Sequence, residues 1–151
     1  MTKDEQQLED EQLSLKLFVV LTRALEAVKK EVIKDIKSYN VNLTEFAVLE
    51  FLYNKGEQPI QVIGKKVLLA SSSITYVVDK LEEKDLLERS ACPKDRRVIH
   101  GRLTESGKQF MDEVFPQHEE AMAEIFGNLS KEEKEQSITL LRKIGLYADS
   151  M

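Results

Sequence analysis

Four bases crowd the short stretch ACPKDRRVIHGRLTESG (Ala91–Gly107): Lys94, Arg96, Arg97 and Arg102, with Asp95 as the acid among them. Bases packed this closely repel one another, so the pattern reads as a site for an anionic partner, and a phosphate backbone is the first to test. A guanidinium at the tip of a hairpin could enter a minor groove, where narrow A/T-rich segments concentrate negative potential. Asp95, two residues before Arg97, can accept from that guanidinium and hold its fork in place. The plainer alternative is a solvated turn whose ion pair is worth about 0–1 kcal/mol.

A second group of polar residues precedes this loop. Ser71, Ser72, Ser73, Thr75, Tyr76 and Lys80 cluster at and after the start of an expected helix. Helix N-termini suit phosphate, and small hydroxyl residues let the backbone approach closely. The serines can also serve simply as caps, and one may cap while others contact DNA. Gln61 and Lys65, on the preceding helix, are candidate backbone contacts. The GKK at Gly64–Lys66 lacks the spacing and the Ser/Thr of a phosphate-binding loop. Cys92, one residue before Pro93, reads either as a thiol sensor near Lys94 and Arg96 or as an inert small residue on a strand. With one Cys and two His (His100, His118) the chain offers no metal cluster, no cofactor motif and no nucleophile–base–acid set, so an enzyme is not expected.

The elements that must position these residues follow from periodicity. Leu17, Leu21, Leu25, Val28, Val32 and Ile36 recur at three- and four-residue steps and predict a helix from about Glu11 to Ile36, broken by SYNVN. Thr44 is expected to cap a short helix carrying Phe46, Leu49, Phe51 and Leu52, ended by NKG. Gln58-Pro59 opens a helix over Ile60–Val67, and LLASSS (Leu68–Ser73) reads as a turn before a further helix with Ile74, Val77, Val78 and Leu81 inward. Two short helices joined by a tight turn make a helix-turn-helix. LLERSAC and VIHGRL then read as two strands around the basic turn Pro93–Arg97, a hairpin or wing. Thr104 begins a helix whose apolar band runs from Phe110 to Leu129, with Pro116 expected to bend it or interrupt one backbone bond. Ser130 and Glu133 form a capping box before a last helix carrying Ile138, Leu141 and Ile144.

The fold class expected is therefore mainly α, an α+β winged helix-turn-helix over residues 44–104 within a single domain of 1–151. The flanking helices, 1–43 and 105–151, carry more apolar surface than so small a core can bury, and a dimer would cover it. The net charge is −5, yet Lys55–Thr104 holds ten Lys/Arg against seven Asp/Glu while the rest of the chain holds 12 against 20. The total conceals a locally basic segment. The acidic N-terminal stretch is the reverse of a secretory signal, and the longest purely aliphatic or aromatic run, LFVVL, is far short of the roughly 20 residues of a membrane span. No membrane association is expected, and a lone cysteine suits a reducing, cytoplasmic setting.

With those residues placed, ITYVVDKLEEKDLLER (Ile74–Arg89) and PKDRRVIHGRLTESGKQ (Pro93–Gln109) together resemble the MarR family of transcriptional regulators, and the resemblance extends over nearly the whole chain. In the second segment Asp95, Arg96 and Arg97 stand before Leu103-Thr104 and Gly107 in the family's arrangement. The resemblance implies a homodimer that presents two wings to double-stranded DNA and represses genes until a small molecule or an oxidant arrives. Twofold pairing implies a near-palindromic operator with half-sites about one helical turn apart. It also implies an effector pocket between the terminal helices and the winged lobe, for which Phe18, Leu21, Leu25, Phe46, Met111, Phe115 and His118 are candidates by position, with ordinary core packing as the alternative for each. An apolar cleft with one or two polar groups would suit a small phenolic or quinone-like compound. LLASSSITYVVDKLE further resembles the MhqR-type branch, associated with quinone and catechol stress.

Two departures stand out. Asp85 replaces the family's usual Gly at the turn leaving the recognition helix, and Tyr76 stands where many members have Arg. Tyrosine cannot make the two-toothed contact to guanine that arginine makes, so the family's base preference does not carry over. The rival readings are a redox-sensing repressor acting through Cys92 and a winged helix used as a protein-interaction module without DNA binding.

Overall fold

The computed structural model describes residues 4–67 and 71–151, and the side chains of Ser71 and Ser72 lie outside what it describes. Its element order is α1 (Glu5–Lys37), α2 (Leu43–Lys55), β1 (Gln58–Pro59), α3 (Ile60–Lys66), α4 (Ser71–Glu83), β2 (Leu87–Ala91), β3 (Ile99–Leu103), α5 (Glu105–Ile125) and α6 (Lys131–Asp149). This is a mainly helical winged helix-turn-helix, as the periodicity predicts.

The boundaries differ from the predicted ones where a capping side chain outweighs hydrophobic pattern. α1 starts six residues early because Asp4 accepts from the Gln7 backbone N–H, which gives the polar first turns a cap. The N-cap of α2 is Asn42, not Thr44. Asn42 accepts from the Glu45 N–H at 2.8 Å and Glu45 returns the bond to the Asn42 N–H at 3.0 Å, a reciprocal box that Thr44 could not form. At the other end of the chain Ser130 and Glu133 make the same box before α6, as expected.

The turn expected over Leu68–Ser73 is corrected at its second half: Ser71–Ser73 already lie in α4, and Leu68–Ala70 fall outside the described residues. None of the three serines is therefore the residue preceding the helix. α5 runs continuously through Pro116, which removes one backbone donor without ending the helix, and it stops at Ile125 rather than continuing to Leu129.

β1 is a strand that the sequence does not announce. Gln58 pairs with Gly101 and Pro59 with His100, so the hairpin becomes a three-stranded antiparallel sheet of order β1-β3-β2. Proline can occupy this edge because its missing N–H faces away from the ladder. Within the hairpin Leu87 pairs with Leu103 and Ala91 with Ile99, and the Cys92 N–H donates to the Val98 carbonyl at 2.9 Å to close its loop.

Two turns fix how the wing leaves α4 and how α5 leaves the wing. Asp85 sits at φ 59°, a left-handed helix end that favours glycine and that aspartate tolerates. Its N–H reaches the Glu82 carbonyl and the Leu86 N–H reaches that of Leu81, the paired bonds of a Schellman end. Gly107, in the first turn of α5, then packs on that turn so closely that a Cβ would overlap the Leu86 carbonyl oxygen. Only glycine fits there.

The core lies inside the winged lobe and the adjoining ends of α1 and α5. Ile36, Val48, Leu49, Ile63, Val78, Leu81, Leu87 and Met111 are the largest fully buried side chains. Of the apolar stripe along α1, Ile36 is buried and Val32 packs against the core, whereas Leu17 and Leu25 are exposed. No residue of α6 is buried. No helix among the described residues is long and apolar enough to cross a membrane.

Candidate nucleic-acid interface

The predicted contact residues come from three elements, and the fold brings them to one side. α3 supplies Gln61 and Lys65, α4 supplies Thr75, and the wing supplies Arg97, all lining a cleft of about 630 Å³ together with Ile60, Ile74, Val98 and Ile99. Burial of Ile74, Val77, Val78 and Leu81 in α4 turns Ser73, Thr75 and Tyr76 outward and leaves Lys80 half-buried. No acid stands in the first turn of α4. Lys94 and Arg96 are exposed on the loop beyond the cleft.

Asp95 does to Arg97 what its position predicts. Its Oδ1 accepts from the Arg97 backbone N–H at 3.0 Å and from Nε at 3.1 Å, and its Oδ2 accepts from Nη2 at 3.2 Å. The Arg97 guanidinium and backbone N–H hold the Asp95 carboxyl below the usual aspartate range. The arginine is tethered and yet 91% exposed, which makes it a charged fork standing in solvent with a set direction. Such pre-ordering lowers the entropy lost when a ligand is met.

Arg89 is a member of the cleft that sequence reading missed. From β2 it reaches back to α4, donating to Asp79 at 2.7 Å and to Glu82. Burial opposes its charge, but the two carboxylates more than offset that and raise its pKa. The pair of acids seven and ten residues before an arginine was the available signal, hidden by the turn between them. The consequence is electrostatic as well as mechanical. Asp79 and Glu82 would repel a phosphate backbone, and Arg89 occupies them while locking wing to helix.

On β3, the central strand, His100 is engaged with protein rather than standing free. Its Nδ1 lies 3.0 Å from Glu57 Oε2, and Glu57 also meets Ser90 Oγ at 3.4 Å and Arg102 at 3.7 Å. The bond from His100 is the chief cause of a lowered Glu57 pKa. Arg102, one of the four bases of the opening stretch, is further tied to Glu88 at 2.7 Å. It is thereby set apart from Lys94, Arg96 and Arg97.

The seven effector-pocket candidates divide. Phe46, Met111, Phe115 and His118 meet where α1, α2 and α5 adjoin, with the His118 ring 4.6 Å from Phe46 and 6.3 Å from Phe115 between centroids. His118 Nδ1 lies 2.8 Å from Asp35 Oδ2, and its Nε2 is 3.6 Å from Glu50. Tyr39 donates to the same Asp35 at 2.6 Å; burial first, and that bond second, push its phenol well above the ordinary range. Phe46 and Met111 are core residues in the single chain. Phe18 and Leu25, 69% and 63% exposed, and the half-buried Leu21 lie farther along α1 and do not join the cluster. Cys92 is half-buried at the base of the wing loop, its thiol free of any disulfide.

The MarR family model matches residues 41–99, the segment from the start of α2 to the start of β3. The HTH-type transcriptional regulator MhqR of Bacillus subtilis (strain 168) is 51% identical over 135 residues, covering 89% of this chain and 93% of that protein. Among solved structures, Bordetella bronchiseptica BpsR, described with regulation of its DNA binding by 6-hydroxynicotinic acid, superposes with a TM-score of 0.75 at 26% identity over 83% of this chain and 90% of its own. A cysteine-to-serine mutant of the E. coli protein MarR, solved with operator DNA, shares the fold at a TM-score of 0.77 and 18% identity, over 85% of this chain and 93% of its own. A helix-turn-helix flanked by a tethered basic wing, in a chain half identical to such a regulator, belongs to the MarR family of DNA-binding transcriptional regulators, which are not enzymes.

Proposed function

We propose that this chain is a homodimeric repressor that binds a near-palindromic duplex through α4 and the wing and is released by a small phenolic or quinone-like effector. The observation that carries the DNA-binding surface is the sorting of charge on one side of the winged lobe. Gln61, Lys65, Thr75 and Arg97 converge on one cleft, while Asp79, Glu82 and Asp95 are each occupied by an arginine. In this reading Ser71, Ser72, Ser73, Thr75, Tyr76 and Lys80 face the major groove, Gln61 and Lys65 contact the backbone, and Lys94, Arg96 and Arg97 reach the flanking groove, with Asp95 as the tether.

The dimer reading draws on the terminal helices. α1 exposes Leu13, Leu17, Phe18 and Val20, and α6 exposes Leu140, Leu141, Leu146 and Tyr147. Apolar faces of that extent on helices that a single copy leaves unpacked resemble half of an obligate interface. The effector reading rests on likeness to the Bacillus subtilis MhqR and on the hydroxylated aromatic acid named with BpsR. The junction of α1, α2 and α5 offers the aromatic rings and the polar His118–Asp35 pair that such a compound would meet.

Selection of genomic fragments by the purified chain, repeated with phenols and quinones present, tests both halves. A recovered inverted repeat whose retention is lost with a phenolic or quinone supports the proposal. Absence of salt-dependent binding to any fragment would defeat the DNA reading, and retention unmoved by every such compound would defeat the effector reading. Repeating the release with Cys92→Ser separates ligand from thiol sensing: unchanged release of the variant excludes the thiol.

A further inference from the structure

Charge and burial along α4 restrict what can read bases. Its first two turns, through Val78, contain no acid, and the acids that follow, Asp79, Glu82 and Glu83, are turned to Arg89, Arg89 and Lys80 respectively. Only the N-terminal half of the helix can therefore lie deep in a groove lined by phosphates. In that half Ile74, Val77 and Val78 are buried, and Thr75 lines the cleft shared with the wing. The large side chain left facing open solvent is Tyr76, 63% exposed.

Lys80, one turn on, places its Nζ 5.5 Å from the centroid of the Tyr76 ring and 3.5 Å from Glu83. The ring is thus held from one side by a cation that is itself anchored. Holding it beforehand reduces the entropy lost on docking. The side chain presented is mostly an apolar plane, and the apolar group that the major groove displays is the C5-methyl of thymine. Residues in the N-terminal half of a recognition helix are those that reach base edges.

We propose that Tyr76 is a specificity-determining residue whose ring packs on the C5-methyl group of one thymine in each half-site, with Lys80 holding the ring in place. This rests on the reading of α4 as the recognition helix. It makes the tyrosine a reader of thymine in its own right, rather than a conservative stand-in for a guanine-reading arginine or a phosphate contact made by the phenol hydroxyl.

The test uses a duplex selected from a randomised library by the full-length protein, resynthesised with deoxyuridine in place of each thymidine in turn. That replacement removes one methyl group and nothing else. Removing one buried methyl is expected to weaken wild-type binding about fourfold per half-site at a single symmetric position. Tyr76→Phe should keep that preference for thymine over uracil. Tyr76→Ala should bind both duplexes equally and more weakly than wild type, with its circular dichroism spectrum intact because the side chain is exposed. The proposal is overturned if Tyr76→Ala still prefers thymine at every position by the wild-type factor. It is equally overturned if Tyr76→Phe binds as poorly as Tyr76→Ala, which would make the hydroxyl the contact. Failure of the wild-type chain to select any sequence would instead overturn the DNA-binding reading beneath it.

Discussion

Arg97 and Asp95 show how much one pair of residues can set at a surface. Exposed ion pairs contribute little to stability, so removing the guanidinium should leave thermal unfolding unchanged while altering DNA binding. For Arg97→Ala we expect affinity for the selected operator to fall roughly 10- to 100-fold and the slope of log affinity against log salt to lessen by about 2 for a dimer, read by fluorescence anisotropy across a salt series. The tether has its own pH signature. Because Arg97 holds the Asp95 carboxyl below its ordinary value, the ordering of the loop is fully present above the unfolded aspartate range and is lost as pH falls through the lowered folded value. A carboxyl titration followed by NMR should show Asp95 with a depressed midpoint that rises toward the ordinary range in Arg97→Ala, the backbone N–H of residue 97 retaining part of the depression. Gly107 is the opposite kind of residue, buried and without polar chemistry. A Cβ at that position meets the Leu86 carbonyl oxygen, so Gly107→Ala must shift backbone against backbone. It should destabilise the fold by about 2 kcal/mol or more, measured by denaturant unfolding.

At the scale of elements, the winged lobe works because its parts are locked in a fixed relation. Arg89 joins β2 to α4 through Asp79 and Glu82, and Lys84 at the end of α4 donates to the Asn40 carbonyl and to Glu45 at the start of α2. α4 is therefore fastened at its wing side and at its far end. Replacing Arg89 by Met keeps the bulk but leaves two carboxylates unpaired beside the surface proposed to meet phosphate. The expected outcome is a loss of about 1–2 kcal/mol in unfolding free energy. Operator affinity should fall by more than that loss explains, through repulsion and a loosened wing. An affinity equal to wild type after correction for folding would show that the lock does not serve DNA binding.

For the whole molecule, the question is what covers α1 and α6. A single copy leaves Leu140, Leu146 and Tyr147 each at least 60% exposed, and exposed apolar faces of that kind are the mark of an interface. If these helices build the dimer, Leu141→Glu places a charge in that interface and should shift the chain toward monomer in light scattering coupled to size exclusion. Operator binding should then weaken by roughly 100-fold or more, because the two half-sites would no longer be engaged together. A dimer of undiminished stability in that variant would place the interface elsewhere.

The sequence by itself determined the helices, the hairpin and the tether. Helical periodicity placed α1 to α6 to within a turn or two, the Ser130–Glu133 spacing placed a cap, and the two-residue interval from Asp95 to Arg97 predicted a bond that geometry then makes, because each of these depends on neighbours a turn or less apart. What only the tertiary structure decided were the relations across long separations. The pairing of β1 with β3 joins residues some 40 apart, and no local pattern encodes a two-residue strand. Arg89 finds its partners only after the left-handed turn at Asp85 folds β2 back on α4. His118 is fixed by an aspartate 83 residues earlier. The same separation of scales explains the division among the effector candidates. A hydrophobic stripe such as Leu17–Leu21–Leu25–Val32–Ile36 states that a helix has an apolar face, and only the packed chain shows that its last turns meet this core while Leu17 and Leu25 stay exposed.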